Sequence, residues 1–231
     1  MQKKQELRGQ EARTAHNSSR KLVYDYLQAQ MQNGVLLPGS VLDLKGISQK
    51  LGISNTPLRD SLIQLEAEGY ITIYPRSKVV VNLLEFNDFP YLYGIIGTIE
   101  ALLITSALDK YDADVIREMR ELNENMRQCV EAGEILLYSK YHYQFHDVFL
   151  RLNPNLLAER VIRPIKNRLW DFPRKNFIIE WYKAAVDEHE CIIEAIARND
   201  VDEICRVVKD VHWGIAHNKS YILKEYNLEE S

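Results

Sequence analysis

Residues 52–71 read GISNTPLRDSLIQLEAEGYI, and their punctuation leaves the chain little freedom. Gly52 suits the left-handed position that closes a short helix over Leu44 to Leu51. Ser54 or Thr56 can cap a second helix, with Pro57 in its first turn where a missing N–H costs nothing. Leu58, Leu62, Ile63 and Leu65 give that second helix one apolar face, and Gly69 stops it. Two helices this close in sequence must cross at a sharp turn rather than continue as one rod.

The flanks narrow the fold further. From Arg20, apolar residues fall at Leu22, Val23, Tyr26, Leu27 and Met31, the spacing of an amphipathic helix ended by Asn33-Gly34. Leu37-Pro38-Gly39-Ser40 reads as a turn. After Gly69, Tyr70 to Tyr74 and Lys78 to Asn82 are β-rich runs separated by Pro75-Arg76-Ser77, a hairpin pattern. Three helices followed by a hairpin is the order of a winged helix-turn-helix.

From Glu85 the pattern changes to sustained 3.6-residue periodicity with few glycines and prolines. Apolar residues run through Tyr91 to Leu108, Val115 to Val130, Ile135 to Leu152, Leu156 to Trp170, Ile178 to Ala197 and Val201 to Leu223. Breaks fall at Asp109 to Asp112, Ala132-Gly133, Asn153-Pro154-Asn155, Phe172-Pro173 and Asn199-Asp200. The expected architecture is mainly α: a mobile tail over 1–17, a winged helix-turn-helix over 18–83, and an all-α bundle of about six helices over 84–231.

Charge separates the same two regions. Residues 1–84 carry 11 Lys+Arg against 7 Asp+Glu, and residues 85–231 carry 18 against 26. A basic front and an acidic back suit a polyanion met by the front alone. No apolar run approaches the roughly 18 residues of a membrane span, and MQKKQELRGQEAR lacks the apolar centre of a secretory signal, so a cytoplasmic protein is expected. Cys129, Cys191 and Cys205 have no CxxC spacing and read as small buried thiols rather than a disulfide or zinc framework.

A helix that reads base edges needs short polar residues on its first turn, so that its backbone approaches phosphate, and one long cation to reach guanine. Ser54, Asn55, Thr56 and Arg59 meet that need. Arg59 has the fork for guanine O6 and N7, while Asn55 can read adenine or hold a phosphate. Lys45 on the preceding helix is placed for the DNA backbone, and Arg76 and Lys78 on the hairpin for the minor groove or a phosphate. Singly each is an ordinary cap or solvated charge; the cluster in this order is what points to DNA.

The stretch from Val23 to Val81 resembles the DNA-binding domain of the GntR superfamily of bacterial transcription regulators. The carrying residues are Gly34-x-Leu36-x-Pro38-Gly39, Leu51-Gly52-Ile53-Ser54-x-Thr56-Pro57-Leu58-Arg59 and Leu65-x-x-Glu68-Gly69. The chain departs at Asn55, where the family usually has arginine, and at Ser77, where it usually has glycine. The resemblance implies a homodimer on a two-fold operator.

Histidines mark the second region. His142 and His146 lie four apart, on one helix face, and His189 and His212 fall on two later helices. Helices of a bundle can converge such imidazoles on one ion, and neutral imidazole suits Zn²⁺ and Ni²⁺. A lone histidine is more often a core or surface residue, so spacing alone says little.

Residues 85–231 resemble the all-helical ligand-binding domain, named FCD, of the FadR-like branch of that superfamily. Phe145-His146, Glu188-His189 with Ile192, Ala195 and Ile196, then His212, match its metal-binding pattern, as does Asn155. His142 stands where the family usually has aspartate, which either tunes the ion toward zinc or nickel or disables the site. Ile96 stands where many relatives carry arginine. The resemblance implies a divalent metal, zinc or nickel, on His142, His146, His189 and His212. It also implies a small-molecule effector, a carboxylate, completing the ion's coordination, with Tyr143, Arg163, Arg168 and Trp213 near matched positions. Two alternatives remain: a purely structural metal, and a metal-dependent hydrolase. The hydrolase lacks its general base, because Tyr143, Gln144 and Phe145 separate the histidine pair, and no GxSxG or P-loop is present.

Overall fold

The computed structural model describes residues 17–31, 33–153, 155–171 and 176–229. The expected tail, Pro154 and the Phe172-Pro173 break lie outside them, apart from Asn17. The chain divides into two compact units, one running to Leu84 and taking in Arg168, the other beginning at Glu85.

In the first unit a helix over 17–31 (α1) is followed by α2 (Leu44–Leu51), α3 (Asn55–Ala67), β1 (Ile71–Tyr74) and β2 (Lys78–Val81). Asp43 caps α2 by accepting from the Gly46 N–H, and Gly52 closes it at φ 64°. Ser54 occupies the N-cap of α3 but makes no capping bond, which leaves its hydroxyl for another partner. Val23, Leu27 and Met31 of α1, Leu58, Leu62 and Leu65 of α3, and Ile71, Val79 and Val81 of the hairpin form one core. Ser61 Oγ donates to the Arg20 carbonyl at 2.7 Å, tying α3 to α1.

The hairpin pairs Ile71 with Val81 and Tyr74 with Lys78, antiparallel. Its expected ends shorten by one residue each, though the Asn82 N–H still donates to the Tyr70 carbonyl at 2.8 Å. Val41 adds an isolated bridge to Val80 that the turn-like Leu37 to Ser40 did not foretell. At the wing tip the left-handed residue is Arg76, at φ 65°. A side chain there costs about 1–2 kcal/mol relative to glycine.

The second unit contains α4 (Phe89–Thr105), α5 (Ala113–Ala132), α6 (Ile135–Leu152), α7 (Leu156–Asp171) as far as Asn167, α8 (Ile179–Ala197), α9 (Val201–Arg206) and α10 (Ile215–Tyr226). A capping box between Glu85 and Asp88 starts the unit. The core-facing stripes follow helical spacing: Tyr182, Ala185, Val186, His189, Ile192, Ile193 and Ile196 on α8, and Met119, Asn123, Met126 and Val130 on α5.

The segment expected as one helix from Val201 to Leu223 is instead divided. After α9 the chain makes a six-residue π-helical turn, Val207–His212, and restarts at Ile215. Trp213 N–H donates to the Val208 carbonyl at 3.0 Å, an i→i+5 bond. The wider turn takes less rotation per residue than an α-helix, so both His212 and Trp213 face inward and are buried. Periodicity could not show this, because one wide turn shifts the register by a fraction of a residue. A Cβ on Gly214 would lie 1.9 Å from the Asp210 carbonyl oxygen, backbone that cannot yield. Gly214→Ala is therefore expected to destabilise the protein by at least about 3 kcal/mol, measured by urea unfolding.

Of the cysteines only Cys129 is buried; Cys191 is exposed and Cys205 intermediate, so the expectation of three buried thiols holds for one. The helix faces carrying the other two turn partly to solvent. Among the described residues no helix is long and apolar enough to cross a membrane.

Candidate metal centre and nucleic-acid interface

The four histidines singled out in the sequence come together in the second unit. One ligand nitrogen from each of His142, His146, His189 and His212 lies within 4.8 Å of the others. At a tetrahedral zinc with Zn–N near 2.0–2.1 Å, nitrogens sit roughly 3.3 Å apart, so modest ring movement closes the set. The His146 and His212 Nε2 atoms are already 3.2 Å apart.

Each of three rings has its other nitrogen engaged. Glu100, 1% exposed, receives His146 Nδ1 at 3.0 Å, Lys166 Nζ at 2.6 Å and Trp213 Nε1 at 2.7 Å. His212 Nδ1 lies 2.8 Å from Glu188 Oε2. Asn123 donates its Nδ2 to the Val186 carbonyl at 2.9 Å, which turns its Oδ1 to His189 Nδ1 at 3.3 Å. Acceptor oxygens facing all three Nδ1 atoms favour a proton there and turn each Nε2 toward the other rings, the arrangement that orients imidazole for a metal. His189 Nε2 is buried with no hydrogen-bond partner among the described residues. Such an orphan costs about 1–3 kcal/mol, which a cation at the convergence point would remove. The donor set thus fits a borderline divalent ion. His142, less buried, stacks on Tyr138 at 5.6 Å between ring centroids.

Burial holds His146 well below its ordinary 6.5, helped by Lys166 and His212, and does the same to His189, helped by the other three histidines. Both are neutral in the folded protein at neutral pH. The unfolded chain binds more protons as pH falls below about 6.5, so the stability these groups contribute is present above that pH and lost beneath it. The thermal midpoint of EDTA-treated protein, scanned from pH 8 to 5, is expected to decline once pH drops below that value.

Of the residues expected to line an effector cavity, Trp213 lies beside the cluster, its ring centroid 5.1 Å from His212 and 5.6 Å from His146. Arg163 and Tyr143 bind one another, and Arg163 also reaches Glu159 at 2.7 Å and Asp147 at 3.3 Å. Arg168, expected beside the same cavity, groups with the first unit, near Gly69. Ile96, the departure noted on α4, is fully buried. The sequence reading missed Glu100, Lys166 and Asn123. A single carboxylate inside the apolar run IIGTIEALLI was a usable signal for Glu100; nothing in the sequence distinguished Asn123.

In the first unit, Ser54, Asn55, Thr56 and Arg59 are all exposed at the start of α3, and Lys45 is exposed at the start of α2. Arg76 and Lys78 are exposed on the hairpin, with Lys78 Nζ 5.8 Å from the Tyr74 ring centroid. Pro57, Leu58 and Leu62 bury the opposite face of α3, which fixes the polar turn outward.

Comparison with known proteins agrees with both units. Residues 20–81 match the model of the gntR family of bacterial regulatory proteins, and residues 91–211 that of the FCD domain. The HTH-type transcriptional regulator McbR of Escherichia coli K12 is 24% identical over 209 residues, covering 87% of this chain and 91% of that protein. The Nta operon transcriptional regulator of Aminobacter aminovorans is 26% identical over 175 residues, covering 74% and 80%. The solved structure of E. coli McbR/YncC superposes with a TM-score of 0.70 at 19% identity, over 88% of this chain and 98% of that one, a likeness of fold.

Proposed function

This chain belongs to the gntR family of bacterial regulatory proteins and carries an FCD domain, and from that premise we propose a metal-containing, ligand-responsive regulator acting as a homodimer on a two-fold operator. Arg59 and Asn55 read base edges, while Ser54, Thr56, Lys45, Arg76 and Lys78 hold phosphates or the minor groove. His142, His146, His189 and His212 hold zinc or nickel. The observation that carries the metal is the orphaned, buried Nε2 of His189 among three further imidazoles. The ion supplies a Lewis-acidic seat for a small carboxylate, with Trp213 at its side. Pairing of two copies is supported by α4, which exposes Tyr91, Ile95 and Leu102 at helical spacing.

The effector acts by differential affinity. A dimer engages DNA with both heads, so an effector that prefers one arrangement of the heads changes affinity steeply. Metal analysis of untagged protein is expected to return about one equivalent per chain, and citrate, lactate or acetate titrated into the loaded protein to change its affinity for a selected duplex. One equivalent with no response to any carboxylate would favour a closed, four-imidazole site instead.

A further inference from the structure

The four imidazoles reach their meeting point from elements of unequal rigidity. His142, His146 and His189 lie within the regular helices α6 and α8, whereas His212 is the last residue of the π-helical turn Val207–His212. Such turns are rare and are found frequently at functional sites. The exit of this one leans on a single side chain: Asn218 Nδ2 donates to the carbonyls of Val211, His212 and Gly214 at 3.3, 3.0 and 2.9 Å.

The turn also brings ring nitrogens together. His212 and His146 each direct Nδ1 at a carboxylate and hold their Nε2 atoms 3.2 Å apart, beside the Nε2 of His189, which has no partner among the described residues. A borderline cation at that point would draw on all three nitrogens. Tightening the turn to an α-helix would rotate His212 away from the other two. The wide turn is therefore the arrangement a cation favours.

We infer that the divalent cation is itself a signal this regulator reads, with the π turn as the element it switches. This rests on the metal reading above and extends it: ion occupancy alone alters DNA affinity, before any carboxylate binds. The ligand class is a nitrogen-preferring borderline cation, since all the converging donors are imidazoles. The route out runs through α4. A Cβ on Gly97 would lie 2.9 Å from Trp213 Cβ and 3.3 Å from Lys209 Cα, so α4 and the turn meet almost backbone to backbone. Trp213 Nε1 also donates to Glu100 of α4. A turn that rewinds must displace Trp213 and with it its contacts on α4, whose first residue, Phe89, follows closely after the end of β2 at Val81.

Hydrogen exchange of the full-length chain, stripped with EDTA or loaded with Zn²⁺ or Ni²⁺, tests this together with binding of a duplex selected by the loaded protein from a random library. Loading is expected to slow amide exchange across residues 207–214 by about tenfold or more and to change duplex affinity by a similar factor with no small molecule present. His142→Ala, which removes a ligand on α6, is expected to lose both effects. One bound equivalent with exchange or duplex affinity unchanged overturns the inference while leaving the metal reading intact. No bound equivalent overturns both.

Discussion

Replacing His189 by alanine is expected to abolish metal uptake while costing the metal-free protein only about 1–2 kcal/mol. Two opposing effects make the second half of that result. Deleting a buried ring on α8 costs contacts, including its 4.2 Å stack on Phe145 and the 3.3 Å hydrogen bond to Asn123 Oδ1, and leaves a small cavity, about 3–4 kcal/mol together. The same deletion removes a buried nitrogen that has no partner among the described residues, regaining about 1–3 kcal/mol. The cation then loses a ligand from an all-imidazole set that has no carboxylate to compensate. For the unaltered chain, a cation at a hundredfold excess over its Kd adds about 2.7 kcal/mol, roughly 5–10 °C in thermal midpoint. Melting curves with and without Zn²⁺ check this: the shift should appear in the unaltered chain and vanish in His189→Ala. A shift retained in the variant would mean that the ion sits elsewhere.

Arg59→Ala is expected to weaken binding to a cognate duplex by at least about thirtyfold and to relax specificity at one symmetric pair of positions. Losing a bidentate guanine contact costs about 1–3 kcal/mol, and the proposed homodimer would lose it twice, about 2–6 kcal/mol together. Because Arg59 is exposed, outside the core formed by Leu58, Leu62 and Leu65, folding should be unaffected. Lys45→Ala makes the contrast. A phosphate contact lowers affinity for all sequences alike and reduces the salt slope, so competition against scrambled duplex across a salt series separates the two roles.

Residues whose signals are local were legible in the chain. Gly52 and Pro57 mark a helix end and a helix start because backbone geometry admits few residues there, and the structure places those boundaries at Leu51 and Asn55. The histidine set was visible for a related reason: His142 and His146 share a face by helical repeat, and the resemblance joined His189 and His212 to them. Their partners were not visible. Glu100, Lys166 and Asn123 lie on α4, α7 and α5, and each gains its meaning from a neighbour distant in sequence. The grouping of Arg168 with the first unit was equally invisible in the sequence.

The sequence by itself determined the order of elements, the polar first turn of α3 and the imidazole donors, because capping, periodicity and residue chemistry act over a few residues. Only the tertiary structure decided which nitrogen of His146, His189 and His212 faces an acceptor oxygen, and that the last long helix opens into a π turn at His212. Those outcomes come from carboxylates and backbone brought together across helices, and from a close approach of α4 at Gly97. Competition among such distant contacts selects one register over others that local preference would allow equally.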